Sequence, residues 1–266
     1  MSHHITKINT SNVFSFVQKR NQLPLIFLHG FCEDSNIWDD FLADFSDYFI
    51  VCIDLPGFGK SDLQQNCSIA DMAFIVNAVL EDLNIKSCVL IAHSMGGYVA
   101  LEFAKLYPEK IIGLGLFHSH PFADSTVKIE DRKKGIEFIQ KNGSIHFVKK
   151  LIPNLFASRF GSNSSLIITE LIHKASQYPQ AGLINALEAM IKRVDNQAIL
   201  KEATFSVLFI VGAEDTTFPK ENSFNQLALP NISDIHILDG VGHMGMFEAK
   251  ATCVSIIKNF VAFVSQ

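Results

Sequence analysis

The chain has 266 residues, 48% of them hydrophobic, enough for one large core with a subdomain rather than two independent domains. A formal net charge of −5 and a pI near 6.0 leave no basic footprint for nucleic acid, and the lysine pairs at 133–134 and 149–150 are expected on solvated helix faces. Five cysteines, Cys32, Cys52, Cys67, Cys88 and Cys253, form no C-x-x-C pair, which suits reduced thiols rather than disulfides or zinc.

At the N-terminus, Met1-Ser2-His3-His4-Ile5-Thr6-Lys7 lacks the charged and apolar regions of a secretory signal. No later apolar run approaches the roughly 20 residues of a membrane span, so a soluble, cytoplasmic protein is expected. Strands are predicted near 13–17 and 24–29, the second leading into His29-Gly30-Phe31. A helical pattern near 36–45 carries Trp38 as a packing anchor, and a strand near 49–53 precedes the turn Asp54-Leu55-Pro56-Gly57-Phe58-Gly59-Lys60-Ser61. There two glycines supply unusual backbone angles and Asp54 braces the loop. A helix near 69–83, a strand near 87–92, a helix near 95–106 and a strand near 111–117 follow. From Pro121 to about Asp195 the periodicity is helical throughout, with no strand. The rhythm then resumes with strands near 206–211 and 233–238 and helices near 220–227 and 247–264. Such alternation predicts an α/β fold with a mostly parallel sheet. The expected division is a core of residues 1–120 and 196–266 with a helical cap, 121–195, over the carboxyl edge of the sheet.

The stretch Ala92-His93-Ser94-Met95-Gly96-Gly97 joins a strand to a helix. A small-x-Ser-x-Gly sequence there is a nucleophile elbow, whose tight turn lifts the serine hydroxyl clear of the sheet. Ala92 replaces the usual first glycine, a mild change. A serine nucleophile needs a base and a group that orients the base. Asp215 follows one strand and His243 the next, and in open α/β sheets such strand ends line one crevice. Glu214 and Asp239 compete for the acid role; Glu214 would point elsewhere on a short turn and Asp239 suits a loop cap, so Asp215 is taken. The backbone N–H groups of Phe31 and Met95 are the expected oxyanion donors, Met95 lying at the positive end of its helix dipole. His29, His93, His118, Phe122 and Met190 are expected around the substrate, His29 ordering the oxyanion loop through hydrogen bonds rather than transferring protons. His118-Ser119-His120 has no third ligand nearby in sequence, so no metal is assigned.

These motifs, with Val211-Gly212-Ala213-Glu214-Asp215 and Gly242-His243, resemble the α/β-hydrolase superfamily over almost the full chain. The order Ser94, Asp215, His243 is the order of that fold. The resemblance implies a sheet of about eight strands, a cap after the sixth, and no metal or organic cofactor. Within the superfamily the chain is similar to small capped serine esterases, to carbon-carbon bond hydrolases and to the menaquinone-pathway lyase that shares their triad. The expected function is hydrolysis of an ester or similar acyl bond of a small molecule. A carbon-carbon hydrolase or lyase, with Arg132, Arg159 or Arg193 gripping an anionic substrate, is one alternative. A hydrolase-like ligand-binding signalling protein with slow turnover is another. Oligomeric state is not legible.

Overall fold

A computed structural model of the chain describes all residues except 1, 21, 164 and 218–223, together with the side chains of 161–165. The eight strands are β1 (Ser2–Ile8), β2 (Ser11–Gln18), β3 (Pro24–Leu28), β4 (Phe49–Ile53), β5 (Cys88–His93), β6 (Ile111–Phe117), β7 (Ser206–Gly212) and β8 (Ser233–Leu238). They form one sheet in the order β1-β2-β4-β3-β5-β6-β7-β8. β2 runs antiparallel to both of its neighbours, β1 and β4, and β4-β3-β5-β6-β7-β8 are parallel throughout. Leu25 to Leu28, Cys88 to Ala92 and Val207 to Ile210 are unbroken apolar runs, almost fully buried. That pattern is required of parallel strands covered on both faces. The edge strand β8 instead alternates, with Ile235 and Ile237 exposed.

Strand β1 was not expected from the sequence. As an antiparallel edge strand that buries only Thr6, it carries no apolar alternation to read. The helix expected at 36–45 is split into a 3-10 turn (Ser35–Trp38), α1 (Asp39–Leu42) and a second 3-10 turn (Ala43–Phe45). Its apolar stripe survives the tighter winding: Trp38, Phe41 and Phe45 all meet Phe27 of β3. On the opposite face lie α2 (Ile69–Asp82), opened by a Ser68/Asp71 capping box, and α3 (Met95–Leu106).

Between β6 and β7 the chain is helical: α4 (Thr126–Asn142), α5 (Ser144–Leu151), α6 (Ser158–Asn163), α7 (Ser165–Ala175), α8 (Gln180–Lys192) and α9 (Gln197–Lys201). The two ends of this segment meet, Asn196 N–H donating to Pro121 C=O at 2.8 Å. The chain closes with a short turn of helix, α10 (Gly245–Glu248), and α11 (Lys250–Val264). The helix expected near 220–227 lies partly outside the described residues.

Candidate active site

The parallel strands β3, β5, β6, β7 and β8 end on the same edge of the sheet, and His29, Ser94, His118, Asp215 and His243 follow them within about five residues. After β5, Ser94 adopts φ 49° and ψ −117°, the left-handed region that side chains rarely occupy. The turn is over-determined by its neighbours: Ser94 N–H donates to Phe117 C=O at 3.0 Å, and Ser94 C=O accepts from Gly97 N–H at 2.9 Å and from Ser119 Oγ at 2.7 Å. Gly96 is obligatory for a different reason. A Cβ there would lie 2.6 Å from the His29 carbonyl oxygen and 2.9 Å from that of Leu28, because α3 starts directly against the end of β3. Ala92 is fully buried between Leu28 and Leu116, so its methyl fits where the pattern usually has glycine.

Ser94 Oγ lies 2.8 Å from His243 Nε2, and His243 Nδ1 lies 2.7 Å from Asp215 Oδ2. The other Asp215 oxygen accepts from Thr217 N–H at 2.9 Å and Thr217 Oγ1 at 2.7 Å. Burial opposes ionisation of Asp215, but the charge and the hydrogen bond of His243 outweigh it and hold the carboxyl well below its usual range. Glu214 and Asp239 are both exposed. The His243 loop is fixed from two sides. His243 N–H donates to Leu155 C=O at 2.7 Å. The Glu248 carboxylate accepts from Gly242, Met244 and Ala157 N–H at 3.0, 2.9 and 2.8 Å.

Gly30 and Phe31 follow β3, and Met95 opens α3 beside Ser94, where the first-turn N–H groups have no helical acceptor. Of the histidines expected around the substrate, two lie beneath the site rather than in it. His29 is fully buried, its ring bonded to Gly30 C=O at 2.8 Å and to Leu55 N–H at 2.9 Å. His93 is equally buried, with Nδ1 on Glu33 Oε2 and Nε2 on His243 C=O, both at 2.9 Å. His118 follows β6 and accepts from Gly212 N–H at 3.2 Å; burial pushes its pKa down to about 4, so it is neutral. Among the described residues, His118, Asp215 and His243 form one group with the chemistry to hold a metal ion. Within it, His118 Nδ1 accepts from Gly212 N–H, His243 Nδ1 meets Asp215 Oδ2 and His243 Nε2 meets Ser94 Oγ.

A cavity of about 100 Å³ lies over Ser94 and His243, walled by Phe31, Tyr98, His118, Leu151, Leu155 and Met190. Glu33, Lys128, Arg132 and Thr217 add its polar atoms. A second cavity of about 420 Å³ shares Lys128 and Thr217 with it and holds Phe122. Of the three arginines considered from the sequence, only Arg132 lines the cavity over Ser94. Arg193 is buried over the Tyr98 ring at 3.9 Å and Arg159 is exposed. Asp124 bridges Arg132 (2.6 Å) and Arg193 (2.8 Å). Lys128 was missed, although its i, i+4 spacing from Arg132 on α4 places both on one face. Glu33 was missed as well; a carboxylate three residues after Gly30, within reach of its N–H, was the available signal.

The sequence pattern of the alpha/beta hydrolase fold family matches residues 24–134. The chain is 26% identical, over 90% of its length and 94% of the other, to a 2-succinyl-6-hydroxy-2,4-cyclohexadiene-1-carboxylate synthase of Escherichia coli O1:K1 / APEC. It is 27% identical to a pimeloyl-[acyl-carrier protein] methyl ester esterase of Wigglesworthia glossinidia brevipalpis, over 89% of this chain and 93% of that one. A thermophilic esterase from Thermogutta terrifontis superposes with a TM-score of 0.91 over 100% of both chains at 23% identity. By its sheet order and these matches, the chain has the α/β-hydrolase fold.

Proposed function

We propose that this protein is a serine hydrolase that cleaves an ester or related acyl bond of a small molecule through Ser94, His243 and Asp215. The observation that carries the reading is the unbroken line of hydrogen bonds, 2.8 and 2.7 Å, from Ser94 through His243 to Asp215. In this reading His243 removes the Ser94 proton as the hydroxyl attacks the carbonyl carbon. Asp215 fixes the tautomer with the proton on Nδ1 and stabilises the imidazolium that forms. The Phe31 and Met95 N–H groups receive the charge that develops on the carbonyl oxygen. The protonated His243 then delivers its proton to the leaving alcohol, and water activated by the same ring releases the acid. Residues 121–195 act as the cap, supplying Leu151, Leu155 and Met190 to the cavity wall. Five buried, free cysteines suit a reducing compartment, which supports a cytoplasmic location.

Lys128 and Arg132 favour a second reading of the substrate. Against the reactive cavity stand two cations, of which only Arg132 holds a carboxylate, that of Asp124; Lys128 donates to Thr217 C=O at 2.9 Å. Burial, then the neighbouring Arg132, push the Lys128 pKa down, so an incoming anion would relieve the site. A carboxylate-bearing substrate fits that wall, whether the bond cut is an ester or the carbon-carbon bond of a hydrolase or lyase using the same triad. A fluorophosphonate probe is expected to label the native protein and not Ser94→Ala, alongside steady turnover of p-nitrophenyl esters that survives EDTA. Equal labelling of both proteins would sink the nucleophile. Labelling without multiple turnover would favour the ligand-binding alternative, and loss with EDTA would reopen a metal at His118.

A further inference from the structure

Beneath the serine lies a second pair of ionisable groups that the hydrolytic steps do not use. His93 is fully buried, and each of its ring nitrogens faces an acceptor: Glu33 Oε2 at 2.9 Å and the main-chain oxygen of His243 at 2.9 Å. The same Glu33 oxygen accepts from Gly30 N–H at 2.6 Å. A backbone carbonyl never donates, so one proton is fixed on Nε2, and the Gly30 N–H favours an ionised Glu33, leaving the second proton on Nδ1. The pair is packed against the nucleophile: a Cβ added at Gly30 would lie 2.8 Å from His93 Nδ1, 2.9 Å from Glu33 Oε2 and 3.0 Å from Ser94 Cβ.

We propose that Glu33 holds His93 as an imidazolium at neutral pH, and that this ion pair is a positioning device tying the Gly30-Phe31 loop to the main chain of His243. The inference rests on the serine-hydrolase reading, because the groups it positions are that reading's oxyanion donor and base. Glu33 fixes the peptide preceding the Phe31 N–H, and His93 fixes the carbonyl of His243, so one buried proton sets both halves of the site. Around His93 stand Glu33, His243, Asp215 and the neutral His118, whose ring is 6.1 Å away; His29 faces Glu33. Burial opposes charge on both partners. For Glu33 it is outweighed by the charge and hydrogen bond of His93, which pull the pKa down; for His93, by those of Glu33, which push it up. The pair is therefore charged from below the ordinary carboxylate range to above the ordinary histidine range.

The test compares the native protein with Glu33→Gln, which keeps an acceptor for Gly30 but cannot hold the charge. Ring nitrogen NMR at neutral pH should show both His93 nitrogens protonated in the native protein and one in the variant. The Gly30 amide should titrate in step with His93 in the native protein alone. On a neutral p-nitrophenyl ester the variant should lose kcat by about tenfold, below the roughly 10²–10³ cost of deleting an oxyanion donor. Its KM should stay within about twofold, and the alkaline limb of its kcat profile should move to lower pH by about one unit or more. A native His93 with a single proton refutes the proposal. So does a variant whose kcat and alkaline limb match the native protein. An imidazolium with coupled Gly30 titration but no ester turnover supports the ion pair and refutes the hydrolase reading, so the two fail separately.

Discussion

Asp215→Asn separates the chemistry of the acid from its role in the fold. Asn retains an oxygen for the two bonds from Thr217, 2.9 and 2.7 Å, so the turn after β7 keeps its local support. The change falls on the other atom, where an NH₂ replaces the oxygen 2.7 Å from His243 Nδ1. That group donates, Nδ1 must accept, and the imidazole proton moves to Nε2, 2.8 Å from Ser94 Oγ. A base already protonated where it must accept cannot take the serine proton. In serine proteases this wrong tautomer costs about 10⁴ in kcat, about 5 kcal/mol of barrier. Steady-state hydrolysis of p-nitrophenyl esters and the rate of fluorophosphonate labelling should both fall on that scale, with the melting temperature within a few degrees of native. A loss under about tenfold, or the same loss from Asp239→Asn, would refute the assignment of the acid.

Ser94→Gly should be more stable than Ser94→Ala by about 1 kcal/mol in urea unfolding, because only glycine relieves the φ of 49°. Equal midpoints would mean the elbow stores no strain. Lys128→Gln should raise KM by about tenfold for an ester whose acyl chain ends in a carboxylate and leave a neutral ester unchanged; equal effects on both would remove Lys128 from recognition. Stability should fall as pH drops from about 6.5 towards 4. His118 and His120 have folded pKa values pushed down by burial to about 4 and about 3, so the unfolded chain binds more protons in that window. The shift of His118 corresponds to about 3 kcal/mol, and a flat stability profile between those pH values, followed by urea midpoints, would contradict it.

The parts of the site that follow strand ends were legible because their signals are local. A serine between small residues, an acid after one apolar run and a histidine between glycines each announce a turn on their own. The pocket was not legible, because its walls depend on how α4, α5 and α8 sit over the sheet, and helical periodicity says which face is apolar rather than what it meets. Met190 lines the cavity over Ser94, whereas His93 sits beneath it and Phe122 lines the neighbouring one. His93 is instructive: its neighbour Ser94 points up from the strand end, and alternation along β5 sends His93 into the interior. Glu33 and Lys128 escaped notice because charged residues in loops and on helices are usually solvated, and only the fold reveals that Glu33 is buried and Lys128 half-buried.

The bonds from Leu155 and Glu248 to the His243 loop bear on how proteins of this architecture diversify. Ala157 N–H and Gly242 N–H share one carboxylate oxygen, and a Cβ at Gly242 would lie 2.5 Å from Ala157 N, so the two main chains touch without intervening side chains. The helical segment is therefore not a module that can be exchanged at its two ends alone. A chimera that imports a foreign 121–195 while keeping the native 240–248 would re-aim His243 as a side effect of changing the cavity wall. The unit of recombination is discontinuous in the chain: the segment together with the distant loop that it grips.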